Sequence, residues 1–275
     1  MSNIVIKVGG ALIQNPYADS ISDDIARLHQ AGHNVLLVHG GGPQLDQAIR
    51  QENREPHKIA GRRVTSEADL RLAIRVWRGD ISTQWIRSLS LKGVMALALT
   101  GQDAQLIQAV KRPKTEIRND RGIVHTVDFG YVGDIKNVNT HVIEALWQAG
   151  IVPVVAPLGA GSDGSLLNIN ADTIATQIAI ALCADALVLL SNIDGLLQNP
   201  SDPQSRIPHI TDRGVQELLR DGTIRTGMRP KVESIVSALR QGVSQVHIAN
   251  GTKRDTLHRI LIKKELVGTN FSMSP

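Results

Sequence analysis

Residues 35–43 read VLLVHGGGP, an apolar run that leads straight into three glycines and a proline. The first apolar run, IVIKVGG at residues 4–10, also ends in glycines. Glycines at such positions let the backbone approach a ligand closely and turn its N–H groups toward phosphate or carboxylate. Tight turns between strand and helix explain either cluster equally well when it is taken alone. Together they direct attention to the ends of two strands.

Outside these clusters, short apolar runs alternate with amphipathic helical patterns. Runs so apolar are typical of strands buried on both faces, and their alternation with helices predicts a mainly parallel sheet. Strands are predicted at 4–8, 35–39, 95–99, 152–157, 186–191 and 244–249. Helices are predicted near 20–31, 43–52, 66–78, 80–92, 139–149, 171–182, 211–220 and 230–241. The predicted fold is a three-layer α/β/α sandwich with an open, mainly parallel sheet.

One region, residues 104–135, breaks this alternation. Its segments LIQAVKRP, IRNDRGIVHTVDF and YVGDI read as two or three antiparallel strands joined by polar turns such as NDRG. We interpret it as a β-hairpin excursion near the carboxyl edge of the sheet. Because no linker marks a boundary, residues 1–275 are predicted to form a single domain.

Composition excludes several classes of function. The chain has 275 residues, of which 42% are hydrophobic and only 3% aromatic, so little is available to stack on nucleic-acid bases. No apolar run reaches the roughly 20 residues that a membrane span needs, and the predicted location is cytoplasmic. The single cysteine, Cys183, lies among apolar neighbours and is predicted to be a buried, inert thiol.

Four further features point to an anion. Lys7 lies inside the first apolar strand, where a cation is costly unless it meets a negative charge. NINAD (168–172) opens a helix, and LLSNIDGLL (189–197) runs from a strand into a polar turn. TGMRPKVES (226–234) places Lys231 in the first turn of a helix, where the helix dipole disfavours a cation unless a phosphate is bound. No Walker sequence GxxxxGK[ST] is present, and HGGGP does not match the GxGxxG fingerprint.

Taken in order, KVGG, HGGGP, GRRVT, NINAD, SNIDGLL and TGMRPKV resemble the motifs of the amino acid kinase superfamily, most closely those of the N-acetylglutamate kinases. The resemblance runs from Lys7 to VGT at 267–269. It implies phosphorylation of a side-chain carboxylate by MgATP, which yields an acyl phosphate in arginine biosynthesis. It also implies an acceptor-binding part at about 1–170 and a nucleotide-binding part at about 171–275.

The resemblance assigns catalytic roles to five positions: Lys7, Lys231, Asp172, Gly10 and Gly41. The two lysines match those that bracket the transferred phosphoryl group, and Asp172 matches the aspartate that orients them. The N–H groups of Gly10 and Gly41 match those that face the phosphoryl group.

Acceptor and nucleotide contacts are also implied by the resemblance. Gly41, Gly42, Arg63 and Asn168 would bind the acceptor, with Arg63 on its α-carboxylate. The nucleotide would be lined by Ser191, Asn192, Gly195, Leu196, Ile224, Arg225 and Thr226. Mg²⁺ would be held mainly by the phosphates, and no protein ligand is assigned to it.

Two alternatives remain open at this point. The KRPKT element (111–115) and Ser191–Asn192 also resemble kinases that act on aminoadipate or glutamate attached to an acidic carrier protein, and a basic site mouth suits such a partner. A non-catalytic nucleotide-binding sensor is the alternative of another class; its signature would be loss of Lys7, Lys231 or Asp172, and all three are present.

The expected assembly is a homodimer. Arginine-inhibited members of the resembled family carry a helix ahead of the first strand that interlaces dimers into hexamers, whereas the first strand here begins by Asn3. We therefore expect a C2 dimer with little sensitivity to arginine. The amphipathic stretch LRLAIRVW (70–77) is a candidate contact face, or simply a helix packed on its own sheet.

Overall fold

The computed structural model describes residues 1–13, 16–118, 124–199, 201–202, 204–224 and 228–274. Its strands are β1 Asn3–Val8, β2 Asn34–His39, β3 Lys58–Ile59, β4 Arg62–Arg63, β5 Ala96–Leu99, β6 Ile107–Lys111, β7 Thr115–Arg118, β8 Val124–Val127, β9 Gly133–Val138, β10 Val152–Val155, β11 Leu158–Gly161, β12 Leu166–Asn168, β13 Ala186–Ser191, β14 His209–Thr211, β15 Val246–Asn250 and β16 Thr269–Ser272. Within the described ranges, eight strands form the main sheet in the order β14-β16-β15-β13-β1-β2-β10-β5.

Most neighbours in this sheet run parallel. β1 pairs in parallel with both β13 and β2, while β16 runs antiparallel to β15. The chain leaves β1 toward β2 on one side and returns to β13 on the other, which opens a crevice at the carboxyl ends of these central strands. Ligands of open α/β sheets bind at such a switch point. The predicted mainly parallel sheet is confirmed, and the site lies at its centre.

Helices cover both faces of the sheet. They are α1 Tyr17–Gln30, α2 Gly42–Gln51, α3 Glu67–Ala73, α4 Ser82–Ser90, α5 His141–Gln148, α6 Ala171–Ala181, α7 Asp212–Arg220, α8 Arg229–Arg240 and α9 Thr256–Leu261. The period of two along β1 sends Ile4, Ile6 and Val8 into the core beneath α1 and α4. Val5 faces the opposite core, beneath α6 and α8. The predicted α/β/α layering is therefore confirmed.

Residues 66–92 contain one continuous helical segment instead of the two separate helices predicted. Between α3 and α4, Ile74–Ile81 adopts a π-helix. The segment begins at Ser66, whose hydroxyl accepts a hydrogen bond from the N–H of Asp69 at 3.1 Å. Its apolar residues Leu72, Val76 and Trp77 are buried against the chain's own core. The apolar face of 70–77 is thus part of the chain's own core, while Arg71 and Arg75 are exposed, and the use of this apolar face in a dimer is not supported.

The predicted antiparallel excursion is confirmed, but it is larger than a hairpin. β6 pairs with β9, and β7 pairs with β8, both antiparallel. β11 and β12 join β6 and β9 in a second, four-stranded sheet of order β12-β11-β6-β9. The predicted turn NDRG at 119–122 lies outside the described residues. The second sheet is built from segments that are far apart in sequence.

The prediction for Cys183 is wrong. This residue is exposed, because it follows the last turn of α6 in the left-handed conformation, with a φ of 44°. A left-handed residue commonly terminates a helix, and it turns the chain outward before the next strand begins. The apolar neighbours that suggested burial lie on either side of this turn.

Candidate active site

Lys7 sits on the central strand, one residue before its end. The alternation along β1 places it on the same face as Val5, toward α6 and α8. Its side chain is 11% exposed. A Cβ built on Gly9 would lie 3.8 Å from Lys7 Nζ and 3.9 Å from Ser191 Cα, so the ammonium group lies between the first glycine pair and the end of β13.

Asp172 joins the two lysines. Its Oδ1 lies 2.8 Å from Lys7 Nζ, and its Oδ2 lies 2.7 Å from Lys231 Nζ. Asn170 caps α6 by accepting a hydrogen bond from the N–H of Asp172 at 2.8 Å, which fixes the start of the helix. Lys231 lies in the first turn of α8, as the sequence predicts. Residues 7, 172 and 231 thus form one cluster.

The electrostatics of this cluster keep the carboxylate ionised. Burial by itself would raise the pKa of Asp172, but the charges of Lys7 and Lys231 outweigh it and lower the pKa from 3.8 to about 2. With two cations and one anion, the cluster carries a net positive charge at neutral pH. Such a charge at the carboxyl ends of the central strands is suited to a phosphate group.

The two glycine clusters pack against each other. A Cβ on Gly10 would lie 2.7 Å from Pro43 Cδ, and one on Gly40 would lie 3.0 Å from the backbone nitrogen of Gly10. A Cβ on Gly42 would meet no atom within 4 Å. Gly10 and Gly40 are therefore required where the two loops touch. Because α2 starts at Gly42, the N–H groups of its first turn have no acceptor within the helix and can bind an anion.

Arg63 approaches this loop from β4. Its Nη2 donates to the carbonyl of Gly42 at 3.2 Å and to Asp46 Oδ1 at 2.5 Å. Burial opposes ionisation of Asp46, but hydrogen bonds from Lys58 and Arg63 lower its pKa below the usual value. Nη1 of Arg63 is buried and has no hydrogen-bond partner among the described residues. Since such a donor is costly to leave unpaired, Arg63 retains a free position for an anion.

Asn168 lies at the end of β12 and is held by Thr65. Its Nδ2 donates to Thr65 Oγ1 at 2.9 Å, and its backbone N–H donates to the carbonyl of Tyr131 at 2.8 Å. Thr65, fully buried, exchanges hydrogen bonds with the excursion: its N–H donates to Phe129, and its carbonyl accepts from Tyr131. The second sheet therefore holds Asn168 beside the segment that carries Arg63.

Four of the residues predicted to line the nucleotide lie in the segment at the end of β13. Ser191 is the last residue of β13 and Asn192 follows it, next to β1 and Lys7. Gly195 has a φ of 130°, and a Cβ there would lie 2.6 Å from Thr269 Oγ1. The N–H of Leu196 donates to the same oxygen at 2.8 Å. Gly195 and Leu196 thus anchor the start of β16.

The remaining predicted nucleotide residues lie farther along the chain. Ile224 is 5% exposed, and its N–H donates to the carbonyl of Leu218 at 3.0 Å. Arg225 and Thr226 lie outside the described residues.

A polar cluster at the ends of β13 and β15 was missed in the sequence. Asp194 accepts hydrogen bonds from Asn250 Nδ2 at 3.1 Å and pairs with Lys253 Nζ at 2.5 Å. Asp194 belongs to the SNIDGLL motif, but its partners are more than fifty residues away. The parallel pairing of β13 with β15, Ser191 opposite Asn250, brings the two segments together.

His39 serves the loop rather than the chemistry. It is fully buried, and burial lowers its pKa to about 4, so the ring is neutral at pH 7. Its Nδ1 lies 2.8 Å from the carbonyl of Gly40, and its Nε2 lies 3.0 Å from Ser82 Oγ. A carbonyl only accepts, so Nδ1 carries the proton and donates it. Among the described residues, no group of three or more His, Cys, Asp or Glu side chains is placed to hold a metal ion.

A parallel sheet whose central strands end in glycine loops and in two lysines on one carboxylate defines a protein that handles phosphate groups. The model of the amino acid kinase family matches residues 3–250, and the chain belongs to this family.

Relatives with assigned names share most of the chain. It is 41% identical over 271 residues to acetylglutamate kinase of Myxococcus xanthus, covering 96% of this chain and 87% of that protein. Identity to acetylglutamate kinase of Methanosphaera stadtmanae is 35% over 267 residues, covering 97% and 90%.

Among solved structures, N-acetylglutamate synthase of Neisseria gonorrhoeae, complexed with coenzyme A and N-acetyl-glutamate, superimposes with a TM-score of 0.83 at 26% identity. The match covers all of this chain but 60% of the synthase chain. In the described residues, no helix is both long and apolar enough to cross a membrane.

Proposed function

We propose that this protein is an acetylglutamate kinase, which transfers the γ-phosphoryl group of ATP to the side-chain carboxylate of N-acetyl-L-glutamate in arginine biosynthesis. The observation that carries this proposal is the pair of lysines, Lys7 and Lys231, held 2.8 and 2.7 Å from the two oxygens of Asp172. The names of the relatives support the choice of acceptor.

Phosphoryl transfer requires positive charges and N–H donors in fixed positions. The cluster of Lys7, Asp172 and Lys231 supplies the charge, and the glycine loops supply the N–H donors. Phosphoryl transfer passes through a loose transition state with charge spread over the equatorial oxygens. Lys7 and Lys231 would stabilise that charge from two sides, and the N–H groups of Gly10 and Gly41 would face it. Asp172 holds the lysines apart and in place, so it acts as a positioning residue.

No general base is needed for the acceptor. A carboxylate with a pKa of roughly 4.3 is already ionised and nucleophilic at pH 7. The free Nη1 of Arg63 would bind the α-carboxylate of the acceptor, with Asn168 beside it. Gly42 would contact the acceptor where its side-chain carboxylate meets the phosphoryl group. Ser191 and Asn192 lie where the nucleotide would extend from the lysines. Gly195, Leu196, Ile224, Arg225 and Thr226 remain predicted nucleotide residues.

Mg²⁺ is held mainly by the phosphates of ATP, where it would neutralise charge on the transferred group. The enzyme is a homodimer in the cytoplasm and acts on a free small molecule rather than on a carrier protein. The acceptor site belongs to residues 1–170 and the nucleotide site to residues 171–275.

A panel of acceptors tests this function. ADP release and hydroxylamine trapping of the acyl phosphate are measured with N-acetylglutamate, N-acetylaminoadipate, aspartate, glutamate and carrier-linked acceptors. We expect the highest kcat/KM with N-acetylglutamate, because a short acceptor with an α-carboxylate fits Arg63 and the glycine loop.

Two outcomes of the panel would contradict the proposal. A clear preference for a carrier-linked acceptor would show that the substrate is this acceptor and not free N-acetylglutamate. Binding of ATP without turnover of any carboxylate would instead support a nucleotide-binding sensor.

A further inference from the structure

The π-helical segment Ile74–Ile81 brings a tryptophan to the glycine loop. A π-helix is rare and is frequently found at functional sites. Trp77 lies within this segment, is 3% exposed and donates a hydrogen bond from its indole Nε1–H to the carbonyl of Gly41 at 2.9 Å. The two residues are 36 positions apart in sequence.

The indole ring also explains the second glycine of HGGGP. A Cβ built on Gly41 would lie 2.5 Å from Trp77 Cδ1 and 2.7 Å from Ile81 Cδ1. Real Cβ atoms do not approach other atoms so closely, so position 41 accepts only glycine while the tryptophan stays in place. Glycine at this position therefore serves a contact with the protein itself.

Two hydrogen bonds to the carbonyl of Gly41 fix the direction of a peptide group: the indole of Trp77 donates one, and the backbone N–H of Leu45 in α2 donates the other at 3.0 Å. In a planar trans peptide the C=O and the following N–H point in opposite directions. With the carbonyl of Gly41 turned toward Trp77, the N–H of Gly42 is turned away from it. Trp77 belongs to the core that contains Ile6 and Val8, whereas Lys7 lies on the other face of β1. The N–H of Gly42 thus points away from the core that contains Trp77, Ile6 and Val8.

Ser82, the residue that directly follows the π-helical segment, makes a second connection to the glycine loop through His39. His39 Nδ1–H donates to the carbonyl of Gly40, and its Nε2 is held by Ser82, the first residue of α4. By the same planarity, this bond aims the N–H of Gly41. The π-helical segment and the residue that follows it therefore control two consecutive N–H groups.

Resting on the proposed kinase function, we propose that Trp77 is a positioning residue. It orients the Gly41–Gly42 peptide so that its N–H meets the charge that develops on the transferred phosphoryl group. Preorganised N–H donors are worth most when their direction is fixed before the reaction. Loss of the indole N–H would leave the carbonyl of Gly41 held by the N–H of Leu45 alone, so the peptide would be less firmly oriented while the lysines and Arg63 stay in place.

The other two tryptophans provide matched controls. Trp85 is 1% exposed on α4, and its indole N–H has no hydrogen-bond partner among the described residues. Trp147 donates to the carbonyl of Val35 at 2.9 Å, at the amino end of β2 and away from the glycines. Trp85→Phe thus removes a buried indole without a hydrogen bond, and Trp147→Phe removes an indole-to-carbonyl bond remote from the site.

The test compares Trp77→Phe, Trp85→Phe and Trp147→Phe in full steady-state kinetics and thermal unfolding. We expect Trp77→Phe to lower kcat by about 10- to 100-fold with the KM values of ATP and acceptor changed less than about threefold. The two controls should lower the Tm but leave kcat within about twofold. Equal kcat in all three variants would overturn the inference.

A second substitution guards against loss of folding in Trp77→Phe. A benzothiophenyl analogue of tryptophan, inserted at position 77, keeps the ring volume but replaces the N–H with sulfur. The same fall in kcat is expected, and an unchanged kcat would contradict the role of the N–H. Absence of turnover by the unmodified enzyme with every acceptor would overturn the proposed function and this inference together.

Discussion

At the scale of single residues, the carboxylate of Asp172 organises the site. It lies at the start of α6, between a lysine on the central strand and a lysine on the first turn of α8. Removing it would leave two ammonium groups close together and largely out of water, so their repulsion would move both from their places. The same carboxylate therefore contributes to stability and to positioning.

Asp172→Asn tests this dual contribution. Because the folded-state pKa is about 2 and the ordinary value is 3.8, the ionised carboxylate stabilises the fold at every pH above about 4. This contribution is lost as the pH falls through the folded-state value. We expect the variant to be about 2 kcal/mol less stable than the wild type between pH 5 and 7, with the difference shrinking from pH 4 to 2.

Urea unfolding at each pH provides the measurement, and Asp23→Asn is the control. Asp23 pairs with Lys92 at 2.7 Å, but both side chains are at least one-third exposed, so its loss should cost at most about 1 kcal/mol. A stability difference for Asp172→Asn that does not change between pH 5 and 2 would contradict the assigned role of ionisation.

At the scale of elements, the second sheet supports the residues of the proposed acceptor site. Thr65 and Gly130 form a parallel bridge between the segment after β4 and the excursion. Gly130 has a φ of 69°, and a Cβ there would lie 2.2 Å from the carbonyl oxygen of Thr65. The excursion can therefore approach Thr65 only through a glycine, and Asn168 is held by the same threonine.

Gly130→Ala is expected to push the antiparallel excursion away from the segment that contains Thr65. It should raise the acceptor KM by about tenfold, because the segment with Arg63 moves relative to Asn168, while the KM of ATP stays the same. Gly32→Ala is the matched control: Gly32 has a φ of 82°, but a Cβ there meets no atom within 4 Å.

Both alanines cost about 1–2 kcal/mol for the left-handed backbone, which thermal unfolding measures. Equal acceptor KM values in the two glycine variants would show that the excursion does not support the acceptor site.

At the scale of the whole molecule, one edge of the main sheet offers a surface for a second copy. Among the described strands, β5 pairs with β10 and has no neighbour on its other side. Beside it lie exposed apolar side chains: Leu91 is 75% exposed, Met95 61% and Leu97 44%. Exposed apolar edge strands favour pairing with another chain, so we place the proposed homodimer at this edge.

Leu97→Lys should convert the dimer into a monomer, because a charged residue on an edge strand opposes pairing. Light scattering of the purified protein gives the mass directly, starting from 29.8 kDa for one chain. Leu266→Lys is the control, since Leu266 is 57% exposed elsewhere on the surface. A wild-type protein that is monomeric or hexameric, or a Leu97→Lys variant that stays dimeric, would contradict this placement.

Local patterns in the sequence determined where the helices and strands form. The strand at 186–191 has the predicted bounds, and the helices at 171–181 and 229–240 lie within one residue of the prediction. Such elements follow from the spacing of apolar side chains and from caps such as Asn170, which act over a few neighbouring residues. The same alternation places Lys7 on the face of β1 opposite Ile6 and Val8.

Contacts between distant segments were decided only by the tertiary structure. Nothing near Gly41 in sequence indicates that an indole 36 residues away packs on it, and β11 and β12 join the excursion through pairings that no local pattern specifies. Asp194 likewise meets Lys253 because two parallel strands are neighbours. These contacts depend on which faces of the helices and sheets meet, since burial of apolar surface drives packing without regard to separation along the chain.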